Sequence, residues 1–181
     1  MIKAIGNRGL AYLGIPIVGA LLIIMCADRI ESFTMLRYEV LIVFAYITAL
    51  CDLKTRTIPN SLILIMLIAW VLIMVPKIII DTDAAVPILK DSLYGLFIAG
   101  GMFILVYIIS RKGLGGGDVK FMAASGLYLG LGGIFTATFC GTVLAGLAGL
   151  ALILLKKIGR KDAIPLAPFL YAGILITVFF T

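Results

Sequence analysis

The chain has 181 residues, of which 63% are apolar and only 13% are charged, and its mean hydropathy is +1.23. A soluble domain is roughly 45–50% apolar and about 25% charged. This chain has too few polar side chains to cover the surface of a soluble globule, and its composition also excludes a disordered chain, a collagen and a disulfide scaffold. The composition is that of an integral membrane protein.

Residue counts narrow the chemistry further. The chain contains no histidine, which excludes a histidine-based triad and a histidine–metal site. Its cysteines, Cys26, Cys51 and Cys140, lie in or at the edge of apolar runs and form no CxxC pair, so neither a zinc ribbon nor a redox pair is indicated. The net charge of +6 comes from bases that lie between apolar runs, which indicates membrane orientation rather than nucleic-acid binding.

Apolar runs recur along the whole chain. A helix needs about 20 apolar residues to cross a bilayer, and no strand-like alternation competes with that interpretation. We therefore expect an all-α, polytopic bundle of about seven transmembrane helices, the first of them retained because no clear signal-peptidase site follows it. The predicted spans are Leu10–Cys26, Tyr38–Asp52, Pro59–Pro76, Ser92–Ser110, Asp118–Leu131, Gly133–Leu155 and Ile164–Phe180.

The basic residues predict the orientation of these spans. With a cytoplasmic N-terminus, the outer segments carry only Arg29, Arg37, Lys77 and Lys90, and all the remaining bases fall in inner segments. This asymmetry predicts a cytoplasmic N-terminus and an outside C-terminus; a re-entrant fifth run would invert the last two spans. We expect one membrane-embedded domain over 1–181, with an N-terminal helix and outer loop at 1–37 and a core at 38–181. The inner bases are Lys3, Arg8, Lys54, Arg56, Arg111, Lys112, Lys120, Lys156, Lys157, Arg160 and Lys161.

Two aspartates stand apart from the other seven acids, which we place in hydrophilic segments. Asp52 closes the second run and Asp118 opens the fifth, so both belong at the cytoplasmic end of the bundle. Two carboxyls that face each other in a partly dry site share a proton, one as base and one as acid, as in an aspartic protease. Two simpler interpretations stay open: Asp118 as a helix N-cap, and Asp52 paired with Lys54 or Arg56.

The helix dipole favours an anion at a helix N-terminus and disfavours it at a C-terminus. On that ground we expect Asp118 to ionise more readily and Asp52 to carry the shared proton.

Two short motifs accompany the aspartates. Asp52 is followed by Ile58-Pro59-Asn60, and Asp118 lies within Gly115-Gly116-Gly117-Asp118-Val119-Lys120. Glycines permit close backbone approach, although such a loop alone is equally typical of a hinge or a phosphate cradle. With a later stretch at 164–170, which departs from the family pattern at Leu166 and Ala167, these motifs resemble the type IV prepilin peptidases. That family belongs to the GxGD class of intramembrane aspartic proteases.

The resemblance implies a specific activity. Asp52 and Asp118 would be the catalytic pair of a multi-pass cell-membrane endopeptidase, with no metal or organic cofactor. It would remove the short basic leader from prepilins or pseudopilins at the cytoplasmic membrane face. Its partners would be the substrate helix and the lipid bilayer, with no nucleic acid. The motif residues expected to bind substrate or shape the site are Gly115, Gly117, Lys120, Ile58, Pro59 and Asn60.

Larger members of that family carry a CxxC-containing cytoplasmic domain linked to N-methylation. Only about a dozen polar-flanked residues, 27–39, separate the first two runs, and no CxxC occurs. We expect the compact form, without the methyltransferase-linked domain.

Three other interpretations remain. A presenilin- or signal-peptide-peptidase-like protease would use the same chemistry, but the sequence around Asp52 departs from its Tyr-Asp pattern. A small ion-coupled transporter could use Asp52 and Asp118, although such acids commonly lie near the bilayer midplane. A non-enzymatic membrane scaffold would tolerate Asp→Asn at both positions.

Overall fold

A computed structural model describes residues 31–110, 113–157, 159 and 164–180. These residues form five α-helices and no strand. The helices are α1 (Ser32–Thr55), α2 (Asn60–Ile80), α3 (Thr82–Ile109), α4 (Gly116–Leu154) and α5 (Ala167–Phe180).

Four of these helices, α1 to α4, are long and apolar enough to cross a membrane, and α5 is a shorter apolar helix. The predicted all-helical, multi-pass architecture is confirmed for the described residues. The number of seven spans and the orientation of the termini stay predictions. The first predicted span, Leu10–Cys26, lies outside the described residues.

Several helices extend beyond the predicted runs because they continue through polar residues. In α3 the helix begins ten residues before the predicted start, since Asp81 caps it by accepting a hydrogen bond from the Ala84 amide at 3.1 Å. The placement of the other acids in hydrophilic segments is therefore wrong for Glu39, Asp83 and Asp91, which lie within helices.

A break at Gly130 divides α4 into two halves. The φ of Gly130 is +70° and its ψ is −173°, a backbone conformation that only glycine adopts readily. Before the break α4 packs closely on α3: a Cβ at Gly100 would lie 3.3 Å from the Ala123 Cβ, and Gly95 and Gly126 are in backbone contact. The order of these contacts shows that the first half runs antiparallel to α3.

The second half of α4 packs against α5 through similarly close contacts at glycines. A Cβ at Gly133 would lie 3.6 Å from the Thr177 side chain, and one at Gly141 would lie 3.0 Å from the Leu170 Cα. A Cβ at Gly173 would overlap the Ala137 carbonyl oxygen. These small residues fix the position of α5, whose first residue lies at the candidate site.

A cluster of polar side chains lies at the break, with Arg37 and Ser92 buried and Asp91 exposed. Arg37 Nη2 lies 3.0 Å from the Leu127 carbonyl oxygen, 2.7 Å from that of Tyr128 and 3.1 Å from Ser92 Oγ. Asp91 Oδ1 accepts from the Leu131 amide at 3.1 Å. These side chains satisfy backbone groups that an unbroken helix would pair internally. Arg37, predicted to be a base of an outer segment, is thus a buried residue of α1.

Candidate active site

Asp52 and Asp118 lie at the same end of the helix bundle. Asp52 is in the last turn of α1 and Asp118 in the first turn of α4, and their side chains are only 6% and 8% exposed. Both line two neighbouring cavities, of about 410 Å³ and about 250 Å³. The structure therefore brings together the two aspartates that the sequence singled out.

Asp118 is not the N-cap of α4, as one interpretation of the sequence had it. The N-cap of α4 is Gly115, and Asp118 is the third helical residue, with its amide 3.1 Å from the Gly115 carbonyl oxygen. The Gly115 backbone also hydrogen-bonds the Asp118 carboxyl. Oδ1 of Asp118 is buried and has no hydrogen-bond partner among the described residues.

Asp52 is held by a group from the other end of the sequence. Its Oδ2 accepts a hydrogen bond from the backbone amide of Ala167, the first residue of α5, at 3.0 Å. Within the described part of the chain, Asp52 forms no ion pair with Lys54 or Arg56. Sequence reasoning missed this contact because a backbone donor leaves no side-chain signal.

Two glycines of the 115–120 motif have distinct steric roles. A Cβ at Gly115 would lie 2.7 Å from Asp118 Oδ2, and one at Gly117 would lie 2.9 Å from the Ile58 Cβ. A Cβ at Gly116 would meet nothing within 4 Å. A side chain would therefore displace the Asp118 carboxyl at the first position and press on Ile58 at the third, whereas the second position has room for one.

Of the other predicted motif residues, Ile58 lines a cavity and Pro59, Asn60 and Lys120 do not. Pro59 is the N-cap of α2, and Asn60 begins that helix. The Asn60 side-chain oxygen accepts from Lys120 Nζ at 2.9 Å. Ile58, half-buried, lines the smaller cavity together with Gly117, whereas Pro59, Asn60 and Lys120 do not line either cavity.

Arg56 lines both cavities beside the two aspartates. Its backbone is left-handed, with φ 53° and ψ 29°, and its amide donates to the Asp52 carbonyl oxygen at 2.9 Å to end α1. A non-glycine residue in this conformation is uncommon. In the sequence, Arg56 is predicted to be an orientation signal or an ion-pair partner of Asp52. The signal for its position at the cavities is its spacing, one helical turn after Asp52.

Fold and site together define a multi-pass helical membrane protein with two buried aspartates facing shared cavities at one end of its bundle. The chain belongs to the type IV leader peptidase family, whose family model matches residues 39–154. The matched region contains both aspartates and both motifs, and it confirms the resemblance drawn from them.

Two curated relatives agree with this family. A prepilin leader peptidase/N-methyltransferase of Bacillus subtilis (strain 168) is 33% identical over 87 residues, which cover 46% of this chain and 35% of the relative. Leader peptidase HopD of Escherichia coli is 36% identical over 96 residues, which cover 47% of this chain and 59% of the relative. The chain thus matches less than two thirds of the length of either protein. No solved structure matches it.

Proposed function

We propose that this chain is a membrane aspartic endopeptidase that removes the short basic leader from prepilin-like or pseudopilin substrates. The observation that carries the proposal is the pair Asp52 and Asp118, both buried and both lining the same cavities in a member of the type IV leader peptidase family. The relatives named as leader peptidases support the same assignment.

The proposed reaction uses the two carboxyls as base and acid. The ionised carboxyl removes a proton from water as the water oxygen attacks the scissile carbonyl carbon. The protonated carboxyl then gives its proton to the leaving amine nitrogen as the C–N bond breaks. The products are a leader with a new carboxylate and a pilin with a new amino terminus.

A third cavity, which is mostly apolar, supports the presence of an apolar substrate segment beside the cleaved bond. Its volume is about 400 Å³, and it shares Leu114 and Leu166 with the larger aspartate-lined cavity. An apolar chain entering from the bilayer could therefore reach the aspartates along one continuous surface. The other lining residues are Met102, Phe103, Val106, Thr138, Thr142 and Ala145.

We further propose the membrane arrangement expected from the sequence: seven spans, a cytoplasmic N-terminus, an outside C-terminus and one domain over 1–181, in the inner membrane. The break at Gly130 supports counting α4 as two crossings, because its halves pair with α3 and α5 respectively. Asp52 and Asp118 would then lie near the cytoplasmic face, where the leader is exposed.

The test is a cleavage assay in membranes with a prepilin-like reporter that carries a basic leader and a Gly-Phe junction. Asp52→Asn and Asp118→Asn should each reduce cleavage by roughly 10³-fold or more at equal protein level, because either loss removes half of the acid–base pair. Asp81→Asn is the matched control, since Asp81 caps α3 away from the cavities and Asn caps equally well.

Cleavage by both variants at the wild-type rate would rule out the two-aspartate mechanism. Failure of the wild type to cleave reporters from several pilin classes would overturn the proposed activity and favour a transporter or a scaffold.

A further inference from the structure

We propose that the backbone N–H of Ala167 is a positioning group of the active site, which holds Asp52 as the carboxylate and so makes Asp52 the base and Asp118 the acid. This inference rests on the proposed peptidase function. It concerns the N-terminus of α5, a segment outside the two aspartate motifs.

The contact is specific to one amide of the first turn of α5. The Ala167 amide lies 3.0 Å from Asp52 Oδ2, and Ala167 itself is fully buried. Pro168 has no N–H. The amides of Phe169 and Leu170 donate to the Leu166 carbonyl oxygen at 3.0 and 3.1 Å. The amide of Ala167 is thus directed at the carboxyl, while the later amides of the turn serve the helix.

A backbone N–H can only donate a hydrogen bond, and donation to a carboxyl stabilises its ionised form. The N-terminus of a helix adds a favourable dipole. Asp52 receives both of these from α5. They oppose the unfavourable dipole at the C-terminal end of its own helix, α1. A direct hydrogen bond to a charged group contributes more than a helix dipole does.

The Asp118 carboxyl also has a backbone hydrogen bond, from Gly115, so the two aspartates differ in their remaining oxygen atoms. Oδ1 of Asp118 is buried without a partner among the described residues, and a charged oxygen left without a hydrogen bond is costly to bury. Since two facing carboxyls do not both ionise easily, the shared proton belongs on Asp118. These contacts favour the reverse of the assignment expected from the dipoles of α1 and α4 alone.

The amide cannot shift readily away from Asp52. Gly173 contacts the backbone of Ala137 and Gly141 so closely that a Cβ would overlap it, and Leu170 lies against Gly141. Pro165 and Leu166, directly before Ala167, line the larger aspartate cavity. The close packing of α5 on α4 therefore sets the orientation of the Asp52 carboxyl in the cavity.

The test removes the N–H without adding bulk. Nonsense suppression places lactic acid, the α-hydroxy analogue of alanine, at position 167, so that an ester replaces the amide. The matched control is the α-hydroxy analogue of phenylalanine at position 169, which deletes an N–H of the same turn that serves only Leu166. Both proteins and the wild type are purified and assayed on the prepilin-like reporter over a range of pH.

For the 167 ester we expect kcat to fall by about tenfold or more while KM changes by less than about threefold, because the carboxyl is misplaced while substrate contacts remain. Its pH profile should also differ from that of the wild type, because the group at position 167 no longer donates a hydrogen bond to Asp52 Oδ2. Among the described residues, the charged groups that line the cavities with Asp52 are Asp118 from α4 and Arg56 at the end of α1, and neither is altered. The 169 ester should keep the wild-type pH profile.

A wild-type kcat and pH profile in the 167 ester would overturn the inference and leave the proposed function standing, as would equal effects of the two esters. Ala167→Pro provides a second deletion of the N–H, at the first helical position, where proline is favoured, and Ala167→Gly retains the N–H and should retain kcat. A wild type that cleaves no reporter would overturn the proposed function itself, and with it this assignment.

Discussion

The Lys120 amine donates a hydrogen bond to the Asn60 side-chain oxygen at 2.9 Å, across 60 residues of sequence. The contact joins the fifth residue of α4 to the first residue of α2. It therefore connects the helix that carries Asp118 to the helix that follows the Asp52 segment. Both side chains are exposed, so the bond lies at the surface rather than in the core.

A double-mutant cycle measures this link. Lys120→Met and Asn60→Ala should each destabilise the protein slightly, and the two effects should be coupled by about 0.5–1 kcal/mol, as for a partly solvated hydrogen bond. The measurement is thermal unfolding in detergent of the two single variants and the double variant. Strictly additive effects would show that the bond does not form in solution.

The glycines at 116 and 117 form a matched pair for a second prediction. In Gly117→Ala the new Cβ would press on Ile58 at 2.9 Å, so this variant should lose about 1–3 kcal/mol of stability and most of its cleavage activity. In Gly116→Ala the Cβ meets nothing, so activity should remain and stability should hold or rise slightly. Thermal unfolding and reporter cleavage test both. Equal losses in the two variants would contradict the steric explanation.

The common location of Asp52 and Asp118 could be predicted because ionisable residues at helix ends are few in so apolar a chain, and helix direction places both at one end. Gly115 and Gly117 could be singled out by their motif. Their different contacts could not be predicted, because those depend on the packing of Ile58 and on the Asp118 rotamer. Ala167 could not be found, because a backbone amide has no residue-type signature. The burial of Arg37 could not be predicted either, because a hydropathy pattern indicates that a base near the end of a span faces solvent.

The break in α4 makes a third prediction. Gly130→Ala would force a side chain into a left-handed backbone and into the Asp91 carboxyl, so it should cost about 2 kcal/mol or more. Gly132→Ala, two residues further on, meets nothing within 4 Å and should be tolerated. Thermal unfolding in detergent compares the two. A Gly130→Ala variant as stable as Gly132→Ala would mean that the break is not required in solution.

The apolar cavity that joins the aspartate cavity gives a fourth prediction. Ala145 lines it, and Ala145→Phe should occupy space that the apolar part of the substrate would fill. Displacing about 50 Å² of apolar contact corresponds to about 1.3 kcal/mol, or roughly a tenfold rise in KM, with kcat for bound substrate little changed.

Ala151→Phe is the control for that variant, because Ala151 is an exposed residue of the same helix that does not line the cavity. The comparison is made with the full reporter and with a reporter whose apolar segment is shortened after the junction. Only the full reporter should lose affinity for Ala145→Phe, since the shortened one has little apolar chain to place there. A KM for the full reporter that is the same in both variants would show that the substrate reaches the aspartates by another face of the bundle.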